Sequence, residues 1–111
     1  MFTFTPNPTF SWPVRILVPV PNGRKEVREA LGLFRVVSSE RLGELNDQAG
    51  NPDKTILKEV LAGWNKIEDE QGSPLVFSDE TRDALLAIPY VRAAFIRAYF
   101  QAINGEAAEK N

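Results

Sequence analysis

From Phe10 to Val20 the apolar side chains occupy every second position: Phe10, Trp12, Val14, Ile16, Val18 and Val20. Side chains alternate across a strand, so this spacing predicts a strand with one buried face. Pro13 and Pro19 fall on the opposite phase and cannot donate ladder hydrogen bonds, which points to an edge position or broken pairing. Pro21-Asn22-Gly23 follows, and Asn-Gly readily takes the positive φ angles of a hairpin turn. A returning strand is expected from Lys25 to Val37, although Val27 and Leu31 share one phase while Phe34 and Val36 take the other. Gly32 reads as a bulge that resets the phase. The competing reading makes Glu26 to Leu31 a short helical turn.

The apolar period then lengthens to that of a helix. Ser38 and Ser39 cap a short helix through Leu45, and Asn46 to Pro52 reads as a loop. Asp53 is placed to cap the next helix, on which Ile56, Leu57, Val60, Leu61 and Trp64 form one stripe, with Trp64 as a core residue. Asn65 to Pro74 is a polar connector, in which Glu68, Asp69 and Glu70 are expected to be solvated. Ser78 caps a third helix bearing Thr81, Ala84, Leu85 and Ile88 on one face. Pro89 ends that helix and opens a fourth, which runs to Ile103 and is stopped by Asn104-Gly105. The expected class is α+β, an N-terminal antiparallel β-hairpin or small sheet packed against a C-terminal bundle of about three to four helices. A single domain is placed at residues 1–105, with 1–45 mainly hairpin plus short helix and 53–104 helical, followed by a flexible tail at 106–111.

The last helix has more apolar surface than a helix lying on one sheet needs. Val91, Ala94, Phe95, Ala98, Tyr99 and Ala102 share one side, and Ile96, Phe100 and Ile103 turn onto the next, leaving Arg97 and Gln101 as the continuous polar strip. Either the sheet and the preceding helices sandwich the helix, or Ile96, Phe100 and Ile103 line a groove for a partner helix. These three residues are the candidate partner-binding site. A homo-oligomer offers a way to combine both.

Composition narrows the chemistry. The chain has 111 residues, 43% hydrophobic and 25% charged, which suits one globular domain. It contains neither cysteine nor histidine, so disulfides, zinc–thiolate sites, thiol nucleophiles and the usual general base near neutral pH are all missing. No catalytic, cofactor-binding or metal-ligating residues emerge, and the protein is expected not to be an enzyme and to need no cofactor. The net charge is −2, and Glu26 and Glu29 dilute the cluster Arg24, Lys25 and Arg28, so no nucleic-acid partner is expected. No signal peptide and no apolar run long enough to span a bilayer are visible, so no membrane partner is expected either.

Three segments in order resemble one family. They are Phe2-Thr3-Phe4 with Thr9-Phe10-Ser11-Trp12-Pro13-Val14; Phe34-Arg35-Val36 leading into Ser38 to Leu45; and the block Ile56 to Ile103. That block carries Trp64, the connector Gly72-Ser73-Pro74-Leu75-Val76-Phe77-Ser78, Leu85-Leu86-Ala87-Ile88-Pro89 and Ala98-Tyr99-Phe100. Together they resemble the tail assembly chaperones of long-tailed bacteriophages and prophages, over most of the chain. Glu29-Ala30-Leu31-Gly32 departs from the clean second strand expected there. The resemblance implies a protein that binds the long helical tape measure protein in the host bacterial cytoplasm, keeps it soluble during tail assembly, and is absent from the mature virion. The alternative from another class is a structural virion subunit, such as a tail-completion or head–tail joining protein.

The polar tail beyond the last helix has only two alanines of apolar content, Ala107 and Ala108. Truncation after Gly105 is therefore expected to leave the melting temperature almost unchanged, as followed by circular dichroism.

Overall fold

A computed structural model describes residues 1–108, so Glu109, Lys110 and Asn111 of the expected tail lie outside the described residues. Strand β1 (Thr9–Val20) pairs antiparallel with β2 (Arg24–Arg35) in one unbroken register from Thr9↔Arg35 to Val20↔Arg24. The turn Pro21–Gly23 holds Asn22 and Gly23 at φ of 71° and 72°, the conformation that Asn and Gly adopt at least cost. Glu26 to Leu31 is thus strand and not a helical turn.

Nor is Gly32 a bulge against β1, since it sits directly across from Trp12. The phase of β2 is continuous: Ala30, Gly32 and Phe34 are buried, while Val27, Leu31 and Leu33 occupy the other phase. The glycine serves a different purpose. A Cβ at position 32 would lie 2.6 Å from the ring of Phe34, so the ring leans into space that only glycine leaves open. The one irregularity in the sheet falls between Leu33 and Phe34, against the third strand.

That third strand, β3 (Leu61–Asn65), is the main departure from the expected helical span at 53–104. It pairs antiparallel with Leu31 to Phe34 of β2 and gives a sheet of order β1-β2-β3. Helix α2 (Pro52–Val60) stops at Val60, and Leu61 is already extended at φ −82° and ψ 113°. A helix that runs straight into a strand leaves carbonyls without intrahelical donors. Two arginines supply donors: Arg82 Nη1 donates to the Lys58 carbonyl at 3.3 Å and Arg35 Nη1 to that of Glu59 at 3.1 Å. Leu61 and Trp64 therefore belong to a strand, and the stripe of α2 ends with Ile56, Leu57 and Val60.

The other helices begin where side chains replace missing backbone acceptors. Ser38 caps α1 (Ser39–Asn46) by accepting from the Arg41 amide at 3.1 Å. Asn51, and not Asp53, caps α2: its Oδ1 accepts from the Lys54 amide at 3.1 Å. Asp53 lies inside the first turn, where a carboxylate complements the helix dipole. Ser78 and Thr81 form a reciprocal capping box on α3 (Asp79–Leu86). Helix α4 (Pro89–Ile103) ends at Gly105, at φ 77°, with Gly105 donating to Ala102 and Glu106 to Gln101. This paired closure makes Glu106 part of the helix stop, so the dispensable tail begins after Glu106, and truncation after Gly105 removes one closing hydrogen bond.

Among the described residues the α+β arrangement is thus a three-stranded antiparallel sheet with four helices. Its core joins Val14 and Phe34 from the sheet to Leu57 and Val60 of α2, Leu86 of α3, and Phe95 and Tyr99 of α4. Among the described residues no helix is long and apolar enough to cross a membrane.

Gly32→Ala is expected to destabilise the domain by about 1–3 kcal/mol through overpacking against Phe34. Gly43→Ala, within α1 where an added Cβ meets nothing within 4 Å, should stabilise it by roughly 0.5–1 kcal/mol. Urea unfolding of both variants checks the contrast, and equal effects would remove the steric account of Gly32.

Candidate interaction surface

Helix α4 packs against β1 and against α2 and α3, and this accounts for most of its wide apolar arc. Val91, Ala94, Phe95, Ala98 and Tyr99 are buried. The two arginines of the helix have separate structural duties. Arg92, which intrudes on the apolar arc, donates to the Leu86 carbonyl at 3.0 Å and so covers the end of α3. Arg97, from the polar strip, donates to the Arg15 carbonyl of β1 at 3.0 Å.

Tyr99 fixes the depth and rotation of α4. Its ring stacks on Phe10 and tilts against Phe34, with centroids 6.4 and 5.4 Å away, and its hydroxyl donates to the Arg35 carbonyl at 2.9 Å. Burial pushes the pKa of that hydroxyl above its ordinary value, opposed by a hydrogen bond with the Val37 backbone. The end of β2 and the last two turns of α4 are therefore tied at one point.

Ile96, Phe100 and Ile103 lie on the flank of α4 at spacing i, i+4, i+7, half-buried, and each packs against the core cluster. The Phe100 ring meets Tyr99 edge-on at 5.7 Å. Ile103 goes further. With Ala102 it lines an apolar cavity of about 640 Å³, whose other walls are Phe2, Phe10, Ser11, Trp12 and Val36. Ile96 and Phe100 are not among its lining residues. The Trp12 indole N–H is shielded from solvent and has no acceptor among the described residues. The cavity residues Phe10 and Trp12 escaped sequence reasoning as site candidates, because their alternation marks them only as one face of a strand.

Elsewhere several polar side chains are occupied with structure. Arg41 grips both carboxylate oxygens of Glu59, at 2.8 and 2.6 Å, and also reaches Glu44 at 3.0 Å, which ties α1 to α2. These hydrogen bonds raise the pKa of Arg41 and lower that of Glu59. In the acidic connector, Asp69 accepts from the backbone amides of Gln71 and Ser73 at 2.9 and 3.0 Å, so this carboxylate organises its own loop. Among the described residues no three of the aspartates and glutamates come together as a metal site would need.

Trp64 pins that connector to the sheet. Its indole N–H donates to the Leu75 carbonyl at 2.8 Å, and its ring meets Phe77 edge-on at 4.7 Å. Trp64→Ala is expected to cost about 2 kcal/mol, below the ~3–5 typical of a fully buried aromatic, because the ring is only half-buried. Hydrogen exchange should show the loss first at the amides of Asp69 and Leu75; a globally uniform loss would return Trp64 to the central core.

Comparison of the chain with protein-family models, with curated proteins and with solved structures found no match.

Proposed function

We propose that the protein is a non-catalytic tail assembly chaperone of a tailed phage, which binds the tape measure protein and holds it soluble in the host cytoplasm until the tail tube forms around it. The observation that carries the reading is the half-buried stripe Ile96, Phe100 and Ile103, which leads into the apolar cavity beside Phe10 and Trp12. A stripe at spacing i, i+4, i+7 matches the periodicity of an amphipathic helix, so a long helical client meets it ridge against groove. Holding needs only reversible apolar contact. It asks for no nucleophile, base or nucleotide, in keeping with a chain that has neither histidine nor cysteine.

The order of motifs along the chain, which resembles the tail assembly chaperones, is the ground for naming this client, and the apolar stripe is the ground for the manner of binding. A second copy of the chain is the natural competitor for the same stripe, and a homo-oligomer of the free protein fits this reading.

Ile103→Ser and Phe100→Ser are expected to cost about 1–3 kcal/mol each, since both side chains are half-buried, and to leave the domain folded against a typical total of ~5–15. Both should abolish co-purification with a co-expressed tape measure protein, read beside circular-dichroism melts. Stable variants that still capture the client would sink the assignment of this stripe. Finding the protein in mature particles, assembled in closed rings, would replace the chaperone by a structural virion subunit.

A further inference from the structure

The segment ahead of β1 reads Met1-Phe2-Thr3-Phe4-Thr5-Pro6-Asn7-Pro8. In an extended chain, alternate residues point the same way, so Phe2 and Phe4 project together and Thr3 and Thr5 oppose them. Both phenylalanines are open to water, at 87% and 79% exposure, which is an unfavourable place for two large apolar rings.

The segment is nonetheless aimed. Asn7 sits at φ 52° between two prolines whose rings lock their own φ, which makes a stiff elbow. The base of the elbow is fixed, because the Pro8 carbonyl accepts from the Val36 amide at 3.0 Å. Val36 is itself a wall of the apolar cavity, and Phe2 already contributes to its lining. From Pro8 the four to six residues back to Phe4 and Phe2 span up to about 14–20 Å, enough for either ring to reach the cavity. The volume of about 640 Å³ lies in the ~300–1,000 Å³ range of pockets that hold small apolar ligands.

We propose that Met1 to Pro6 is a strap that closes over this cavity in its own chain, laying Phe2 and Phe4 against Phe10, Trp12 and Ile103 and competing with any other apolar occupant. Closure hides two phenyl rings from water at the cost of ordering a short segment whose exit is already fixed by the elbow. The inference concerns the cavity and its strap, and holds whatever client the protein serves.

A Trp64→Phe background leaves Trp12 as the remaining tryptophan, so its emission reports on the cavity. In that background, Phe2→Ser with Phe4→Ser is expected to shift the emission to the red, increase acrylamide quenching, and tighten binding of the apolar dye bis-ANS. A strap closed about nine-tenths of the time predicts a gain of about tenfold in dye affinity. Thr3→Ala with Thr5→Ala, on the opposite phase, should change none of these readings. Circular dichroism of each variant separates loss of the strap from loss of the fold, and deletion of residues 2–6 must reproduce the double phenylalanine variant. Unaltered emission, quenching and dye affinity in a folded variant would overturn the proposal. So would a concentration-dependent dimer of the full chain that the phenylalanine changes dissolve, because the segment would then be exchanged between copies.

Discussion

The ring of Phe34 can lean along β2 only because position 32 carries no side chain, and the rest of the core is built around that ring. Phe10 lies 5.7 Å from it, Tyr99 5.4 Å and Phe95 6.4 Å, so the sheet and the last helix meet on one aromatic side chain. Aromatic pairs gain from tilted and edge-on geometries, and these angles depend on where the central ring points. A Cβ on Gly32 would displace that ring and with it the seat of α4.

Polar contacts then lock what the aromatic cluster positions. Tyr99 reaches the Arg35 carbonyl just beyond Phe34, while the Arg35 side chain turns to the end of α2. One dipeptide, Phe34-Arg35, thereby joins β2 to α4 through the ring and a carbonyl, and to α2 through a guanidinium. The same logic explains how α2 passes into β3 without a loop, since Arg35 and Arg82 supply donors that a connecting turn would otherwise provide.

Much of this was legible along the chain, and the exceptions have definite causes. The hairpin could be read because one face of β1 is buried and its prolines sit on the opposite phase; four helices could be read from their caps and from Pro89. Strand β3 was hidden because Leu57, Val60, Leu61 and Trp64 continue a helical spacing, and only β2 as a neighbour makes Leu61 to Asn65 extended. Gly32 was recognisable as special, but its reason is a ring two residues away and no bulge. Asn51 and Asp53 are both good caps, and the choice rests on where Pro52 starts the helix. At the candidate surface, the breadth of the apolar arc on α4 was plain, whereas the share of it that β1, α2 and α3 cover is a property of the packed molecule.

The two prolines of β1 have a consequence for how anything can hold on to this protein. Pairing with β2 turns the backbone groups of Pro13, Arg15 and Pro19 toward the open side of the sheet. Two of these positions have no N–H to offer, and the Arg15 carbonyl is already engaged by Arg97. A strand laid alongside β1 would meet missing donors at Pro13 and Pro19 and an engaged carbonyl at Arg15, so this edge is a poor template for an added strand. Along this edge, attachment is left to side chains.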